Sequence, residues 1–287
     1  MRYISPEPIA VLLAVYNGEK YLREQIDSIL AQTNHDWVLY IRDDASTDST
    51  PEIIADYCQK YDNIVKIGDD RGNLGCYENF RELLRSVEAD YYMFSDADDV
   101  WLPEKIQASF DFLHKQEGAY PHTPLLVHCD KSHADAELNI IHKSVWSDSA
   151  MDPDSWTKFE LLPMHIVGGA CSIFNRRVRD LSLESPPPPP NIMPVSHDGW
   201  AALIAAKFGK IFALRDPLLI YRYHGSNTTV RINQAKRSVS YRLAHLCGTL
   251  GEHYKKYKMV NSVLGYGSFG KYVYYRIVAY RKSKRIR

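Results

Sequence analysis

The chain has no apolar run near the roughly 18 residues needed to cross a bilayer. It also has no Cys-x-x-Cys pair, no glycine-rich phosphate loop behind its first strand, and no internal repeat. Each absence removes a class. No membrane-spanning helix is expected, and the short polar start Met-Arg-Tyr-Ile-Ser-Pro-Glu-Pro does not read as a secretory signal. Cys58, Cys76, Cys129, Cys171 and Cys247 are odd in number and scattered. They read as free thiols in a reducing cytoplasm, not as zinc ligands or disulfide staples. The missing phosphate loop disfavours a nucleotidyltransferase. Net charge is absent too, with 35 Lys+Arg against 35 Asp+Glu, but the balance hides a split. Residues 231–287 hold 14 Lys/Arg against one acid, Glu252, so they carry +13 and residues 1–230 carry −13. Such a basic segment suits an anionic partner, lipid or nucleic acid, and charge alone does not choose between them.

What is present begins as alternating strand and helix. Ile9–Val15 is an apolar run of strand length, and 19–32 places Leu22, Ile26, Ile29 and Leu30 on one helical face. A strand is expected over 37–41. A helix then opens at Thr50-Pro51, with Ser49 and Glu52 matching a capping box. A strand at 64–67, a helix near 77–87 and a strand at 91–94 complete repeated β-α-β units, which imply a mostly parallel sheet with helices on its faces. Further on, the pattern predicts a helix over 103–116 and a strand over 125–129. It also predicts a strand over 166–175 whose Gly168-Gly169 comes close to something, a helix over 198–208, and strands at 211–214 and 218–223. Ser185 precedes five consecutive prolines, a stiff exposed segment. The basic end, 231–287, reads as helices rich in Tyr.

Polar clusters follow three of the early strands: Tyr16-Asn17-Gly18, then Arg42-Asp43-Asp44-Ala45-Ser46-Thr47-Asp48, then Asp96-Ala97-Asp98-Asp99. Ligands of open α/β sheets bind at the carboxyl ends of the strands. Three carboxylates as close as Asp96, Asp98 and Asp99 repel one another unless a cation sits among them, and hard divalent ions take oxygen ligands. The cluster therefore suggests Mg²⁺ or Mn²⁺, ions that usually hold phosphates in enzymes. Helix capping explains one acidic cluster, but not two at parallel strand ends of one half-domain.

The series Val-Tyr-Asn-Gly (15–18), Arg-Asp-Asp-Ala-Ser-Thr-Asp-Ser-Thr (42–50), Gly-Asn-Leu-Gly-Cys-Tyr-Glu-Asn-Phe (72–80) and Phe-Ser-Asp-Ala-Asp-Asp-Val-Trp-Leu-Pro-Glu-Lys-Ile (94–106) resembles family 2 glycosyltransferases of the GT-A fold. Within them it resembles bacterial surface-polysaccharide enzymes of the rhamnosyltransferase-like group. Ser-His-Asp-Gly-Trp (196–200) and Tyr-Arg-Tyr-His-Gly-Ser-Asn (221–227) extend the resemblance over 9–230. It implies an α/β fold with one Rossmann-like, mostly parallel sheet. The domain would span 1–230, with a nucleotide-binding half at 9–101 and an acceptor-binding half at 102–230, followed by the basic extension 231–287.

The resemblance also implies roles. Asp43 and Asp44 would contact the base and ribose of a UDP- or dTDP-sugar, with Tyr16 beside the base and Asn17 near the nucleotide. Asp96 would lie near the donor ribose and sugar, Arg222 at its phosphates. Asp98 and His224 would hold the metal, Asp99 having no assigned role, and Asp198 would be the general base of an inverting transfer. His197 and Trp200 would meet the acceptor, a lipid-linked saccharide in O-antigen or similar synthesis, and Gly168-Gly169 reads either as a plain bulge or as a place where that acceptor nears the backbone. The basic segment, with the aromatics of 272–280, would dock peripherally on the inner face of the cytoplasmic membrane, and no nucleic acid partner is expected.

Three other readings compete. A haloacid dehalogenase-type phosphatase also places Asp-x-Asp after a strand, but nearer its N-terminus, and leaves Asp43–Asp48 unexplained. An EF-hand needs glycine at the sixth loop position, where Trp101 stands. A non-catalytic basic-tailed binding module is supported by the tail alone.

Overall fold

The computed structural model describes residues 3–5, 8–149, 151–156, 159–160, 167–185, 196–225, 227, 246–265 and 267–284. The five-proline stretch and residues 231–245 lie outside the described residues. The first part of the chain forms β1 (Tyr3–Ile4), β2 (Ile9–Val15), α1 (Leu22–Leu30), β3 (Trp37–Asp43), α2 (Thr50–Lys60), β4 (Ile64–Lys66), α3 (Gly75–Ser86), β5 (Val87–Glu88), β6 (Tyr91–Ser95) and β7 (Val100–Trp101). There follow α4 (Lys105–Ala119), β8 (Leu125–Ala134), β9 (Ile140–His142), α5 (Val145–Asp148), β10 (Ser172–Asn175), α6 (Arg176–Glu184), α7 (His197–Phe208) and β11 (Lys210–Arg222). Helices α8 (Leu246–Leu264) and α9 (Phe269–Lys284) end the chain.

The central sheet runs β4-β3-β2-β6-β10-β8-β11-β7, with β9 paired to β8. Its first four strands are all parallel. A strand covered on both faces needs apolar residues at every position, and β2 meets that need. Ala10 and Leu12 enter one apolar layer with Phe80, Leu83 and Trp200, while Ile9, Val11, Leu13 and Val15 enter the other with Ile26, Ile53 and Ile106. Strand β10 then enters antiparallel to both β6 and β8, and β11 pairs parallel with β8. The sheet is therefore mixed: its first four strands and the β8–β11 pair are parallel, and β10 and β7 run against their neighbours.

Local differences from the sequence reading have physical causes. The expected strands at 211–214 and 218–223 are one strand, broken in register around Pro217, which has no N–H to give the ladder. The strand expected over 166–175 is only Ser172–Asn175, preceded by a single 3₁₀ turn, Gly169–Cys171. Ser49 makes no side-chain cap bond at α2. The Thr50 N–H donates to Asp48 (3.0 Å) and the Ser49 N–H to Glu19 (3.0 Å) instead.

Helices α8 and α9 share the first apolar layer. Met259, Val260 and Tyr272 are buried there with Trp200–Ala205. Of the lysines near the start of the basic segment, Lys255 and Lys258 are exposed and Lys256 is buried. No helix among the described residues is long and apolar enough to cross a membrane.

Candidate active site

The loops after β2 and β3 are zipped together by side chains. The Asn17 N–H donates to Ser46 Oγ (2.8 Å), and Asn17 Oδ1 accepts from the Thr47 N–H (2.9 Å). The Gly18 N–H reaches Thr50 Oγ1 (2.9 Å) and the Glu19 N–H reaches Asp48 (3.1 Å). Asn17 and Ala45 both have left-handed backbones, φ 50° and 61°. Asn tolerates that region, but for Ala it is strained, and the surrounding bonds hold it. Tyr16 projects from this rim, 54% exposed. Asp43 is half-buried and accepts from the Ser46 N–H (3.1 Å).

Asp44 does something else. It is buried, pairs with Arg42 Nη1 (2.8 Å), and accepts from the backbone N–H groups of Leu74 (2.7 Å) and Gly75 (2.8 Å) at the start of α3. Its carboxylate satisfies orphan donors at a helix N-terminus, where negative charge is favoured. The expected contact of Asp44 with a nucleotide is therefore corrected. Asp44 anchors α3 to β3, and Asp43 is the acid left at the rim.

Past β6, Asp96 and Asp98 are half-buried and Asp99 is fully buried. Asp98 Oδ2 lies 2.8 Å from His224 Nε2 and accepts from Asn227 Nδ2 (3.2 Å). Burial, then the carboxylates of Asp98 and Asp198, raise the Asp96 carboxyl to about 7. Burial, then the carboxylates of Asp96 and Asp98, push Asp99 well above the carboxylate range. One of its oxygens, Oδ2, has no hydrogen-bond partner among the described residues.

Arg222 is spoken for. Its Nε donates to the Asp98 carbonyl (3.0 Å), Nη1 to the Ala136 carbonyl (2.8 Å) and Nη2 to Glu24, and its guanidinium lies 4.4 Å from the Tyr21 ring. It is 2% exposed. The expected phosphate contact is thus corrected: Arg222 braces the loop that carries Asp98.

Asp198 sits in the first turn of α7, behind the N-cap Ser196. Its Oδ1 accepts from the Gly199 N–H (2.6 Å) and from the Ser196 hydroxyl, and its Oδ2 accepts from the Gly169 N–H (2.9 Å). A Cβ on Gly169 would lie 2.8 Å from His197 Nε2 and 3.2 Å from Asp198 Cβ. The close approach at Gly169 is made to His197 and Asp198. Gly168, half-buried, lies beside Lys131.

Two expected acceptor contacts are corrected by burial. His197 stacks on Phe80 (ring centroids 3.7 Å) and meets Phe94 edge-on (4.7 Å), and burial lowers its imidazole to about 4. Trp200 is 3% exposed, with its indole N–H donating to the Ser182 carbonyl (3.0 Å). Both hold α7 from beneath. Lys131, on β8, was not singled out from the sequence, because His128, Asp130 and Ser132 make the polar residues of this strand nearly continuous.

The residues present fit a divalent ion. Asp98 and His224 offer an oxygen and an imidazole nitrogen side by side, and Mg²⁺-type ions are held by one or two carboxylates plus substrate phosphates and water. Among the described residues no group of three or more His, Cys, Asp or Glu converges as a complete metal cage.

The parallel half-sheet, the acidic cleft at its strand ends and the later strands folded against it define the GT-A glycosyltransferase fold. The chain belongs to glycosyl transferase family 2, whose family model matches residues 10–179. It is 37% identical over 105 residues to dTDP-rhamnosyl transferase RfbG of Shigella flexneri, covering 35% of this chain and 36% of that one. It is 27% identical over 222 residues to the uncharacterized protein Rv1520 of Mycobacterium tuberculosis, covering 75% of this chain and 59% of that relative's length. Among solved structures, the 1-349 portion of S. aureus TarS in complex with UDP superposes with a TM-score of 0.62 at 14% identity, covering 96% and 90% of the two chains. The mannosyltransferase PcManGT of Pyrobaculum calidifontis, solved with GDP-Man and Mn²⁺, gives 0.57 at 15% identity, covering 97% and 75%. At such identities the structural likeness speaks for the fold.

Proposed function

We propose that this chain transfers a sugar, with inversion, from a UDP- or dTDP-linked donor to a hydroxyl of a lipid-linked saccharide in O-antigen or another surface polysaccharide. The observation that carries this reading is the Asp98–His224 contact (2.8 Å) beyond the carboxyl end of β6, with the Asp198 carboxylate held at the start of α7 by the Gly169 N–H (2.9 Å). Asp43, Tyr16 and Asn17 take the base and ribose, and Asp96 takes the donor ribose and sugar. Asp98 and His224 would hold Mg²⁺ or Mn²⁺, which would supply Lewis-acid neutralisation of the departing diphosphate.

Asp198 takes the acceptor proton. The acceptor oxygen attacks the anomeric carbon as the bond from that carbon to the diphosphate breaks, and the hydroxyl proton passes to the Asp198 carboxylate. A single base and one displacement give inversion. Gly169 and the α7 N-terminus fix the carboxylate's orientation, so it need not be positioned anew at each turnover. The exposed Tyr274, Ile277, Lys255, Lys258 and Arg281 support peripheral docking of the basic extension on an anionic bilayer.

The test screens nucleotide sugars for nucleoside diphosphate release with Mg²⁺ or Mn²⁺, with and without lipid-diphosphate saccharide acceptors. One donor is expected to turn over only with metal and acceptor present. Full activity in Asp198→Asn, or no donor turned over at all, sinks the mechanism.

A further inference from the structure

Strand β8 alternates as it approaches the cleft, so that Cys129, Lys131 and His133 share one face. Strand β11 pairs with it in parallel, Tyr221 opposite His133. The rings on this face form one group. His133 lies 5.6 Å from Tyr221 and 4.8 Å from Tyr223, the two tyrosines lie 5.2 Å apart, and His142 of β9 closes the group at 6.1 Å from His133. Tyr223 is 39% exposed. Lys131 joins these rings to the site, its ammonium 4.4 Å from the Tyr221 ring and 4.0 Å from where a Cβ on Gly168 would stand. The next residue, Gly169, donates to Asp198. A continuous line therefore runs from the proposed base through Lys131 to an aromatic shelf.

We propose that Tyr221, Tyr223 and His133 form the subsite that receives the pyranose ring of the saccharide acceptor, with Lys131 donating a hydrogen bond to one of its hydroxyls. This rests on the glycosyl-transfer reading above. A pyranose has an apolar C–H face and a polar rim of hydroxyls. Aromatic rings match the face, being broad and apolar with few torsions to freeze, and an ammonium has three N–H donors for the rim. The imidazole suits the same task because burial, then the charges of Lys131 and His142, lower His133 to about 4, so it presents an uncharged ring near neutral pH. Lys131 stays charged: burial pulls it down, but Cys171, Asp99, Tyr223 and Asp96 outweigh that and hold it above its ordinary value. The shelf also supplies what His197 and Trp200 cannot, since those side chains are buried under α7.

The test uses the full chain with Mn²⁺ and a saturating nucleoside diphosphate (UDP, dTDP or GDP). Saturation-transfer NMR then monitors methyl pyranosides of glucose, galactose, rhamnose and N-acetylglucosamine. At least one pyranoside is expected to receive magnetisation at its ring C–H protons. Its affinity should fall about tenfold in Tyr223→Ala and in His133→Ala, the scale of a lost ring contact. It should persist in Tyr223→Phe, and nucleotide affinity should not move in any of the three. If the nucleotide binds but no pyranoside does, the inference fails while the glycosyl-transfer reading stands. It fails equally if both alanine variants bind the pyranoside as the parent does, or if nucleotide affinity falls in parallel. Absence of all nucleotide binding would remove the glycosyl-transfer reading and this subsite with it.

Discussion

The two halves of the cleft are built by different means. In the first, consecutive parallel strands β2, β3 and β6 deliver their polar ends to one edge, and short hydrogen bonds between adjacent loops lock the rim. At its centre is a buried ion pair, Arg42–Asp44, with 3% of each side chain exposed. The second half is assembled from distant segments: a 3₁₀ turn before β10, the first turn of α7 and the end of β11. Its carboxylate, Asp198, is aligned by the Gly169 backbone N–H. The rim of the first half is thus ordered by neighbouring parallel strands, whereas the setting of Asp198 depends on how β10 and α7 pack.

Variants can break or sharpen that contrast. The largest effect is expected from Asp198→Asn. Losing a positioned base lowers kcat by about 10²–10⁴-fold, read as initial rates at saturating donor and acceptor. Next is Arg42→Ala, which strands the buried Asp44 and costs about 3–5 kcal/mol of stability by urea unfolding. In the second half, Arg215→Ala breaks only an exposed pairing with Asp152 and Asp154 and should leave the urea midpoint where it was.

Asn227→Ala removes the amide that bonds both Asp98 and His224. It should raise the metal concentration needed for half-maximal rate about 10–100-fold, the usual cost of losing a residue that orients metal ligands.

A pH effect comes next. The folded state keeps a proton on Asp96 up to about 7, while the unfolded chain releases it near pH 4. The folded form therefore binds more protons in between, and metal-free stability falls as pH rises from about 4 to about 7, then levels. Thermal unfolding of Asp96→Asn should lack that component. Ser49→Ala should likewise stay within about 0.5 kcal/mol of the parent, because its side chain makes no cap bond to α2. A loss near 1 kcal/mol by chemical denaturation would restore the capping box.

Much of the first half was legible because its signals are local. The apolar run of β2 and the acids after β3 and β6 are contiguous in sequence, and a parallel strand must place its carboxyl end at the ligand edge. Even there, Asp43 and Asp44 looked alike, since only the path of α3 decides which of two adjacent acids turns inward to cap it. In the second half the same style of reading misjudged His197 and Trp200. Both flank Asp198, but successive residues of a helix point about 100° apart. One side of α7 faces the cleft and the other the core, and sequence proximity to Asp198 could not tell them apart.

The sequence by itself determined the parallel half-sheet, the acidic strand ends, the Asp-x-Asp pair and the family to which the chain belongs. Each of these is a pattern of period two or a run of adjacent residues, carried by the chain before it folds. Only the tertiary structure decided that Arg222 braces the Asp98 loop, that Gly169 aligns Asp198, and that Lys131 gathers with Tyr221, Tyr223 and His133. Those are contacts between segments far apart in the chain, and side chains acquire them only when β10 inserts antiparallel and brings β8 and β11 up to the cleft.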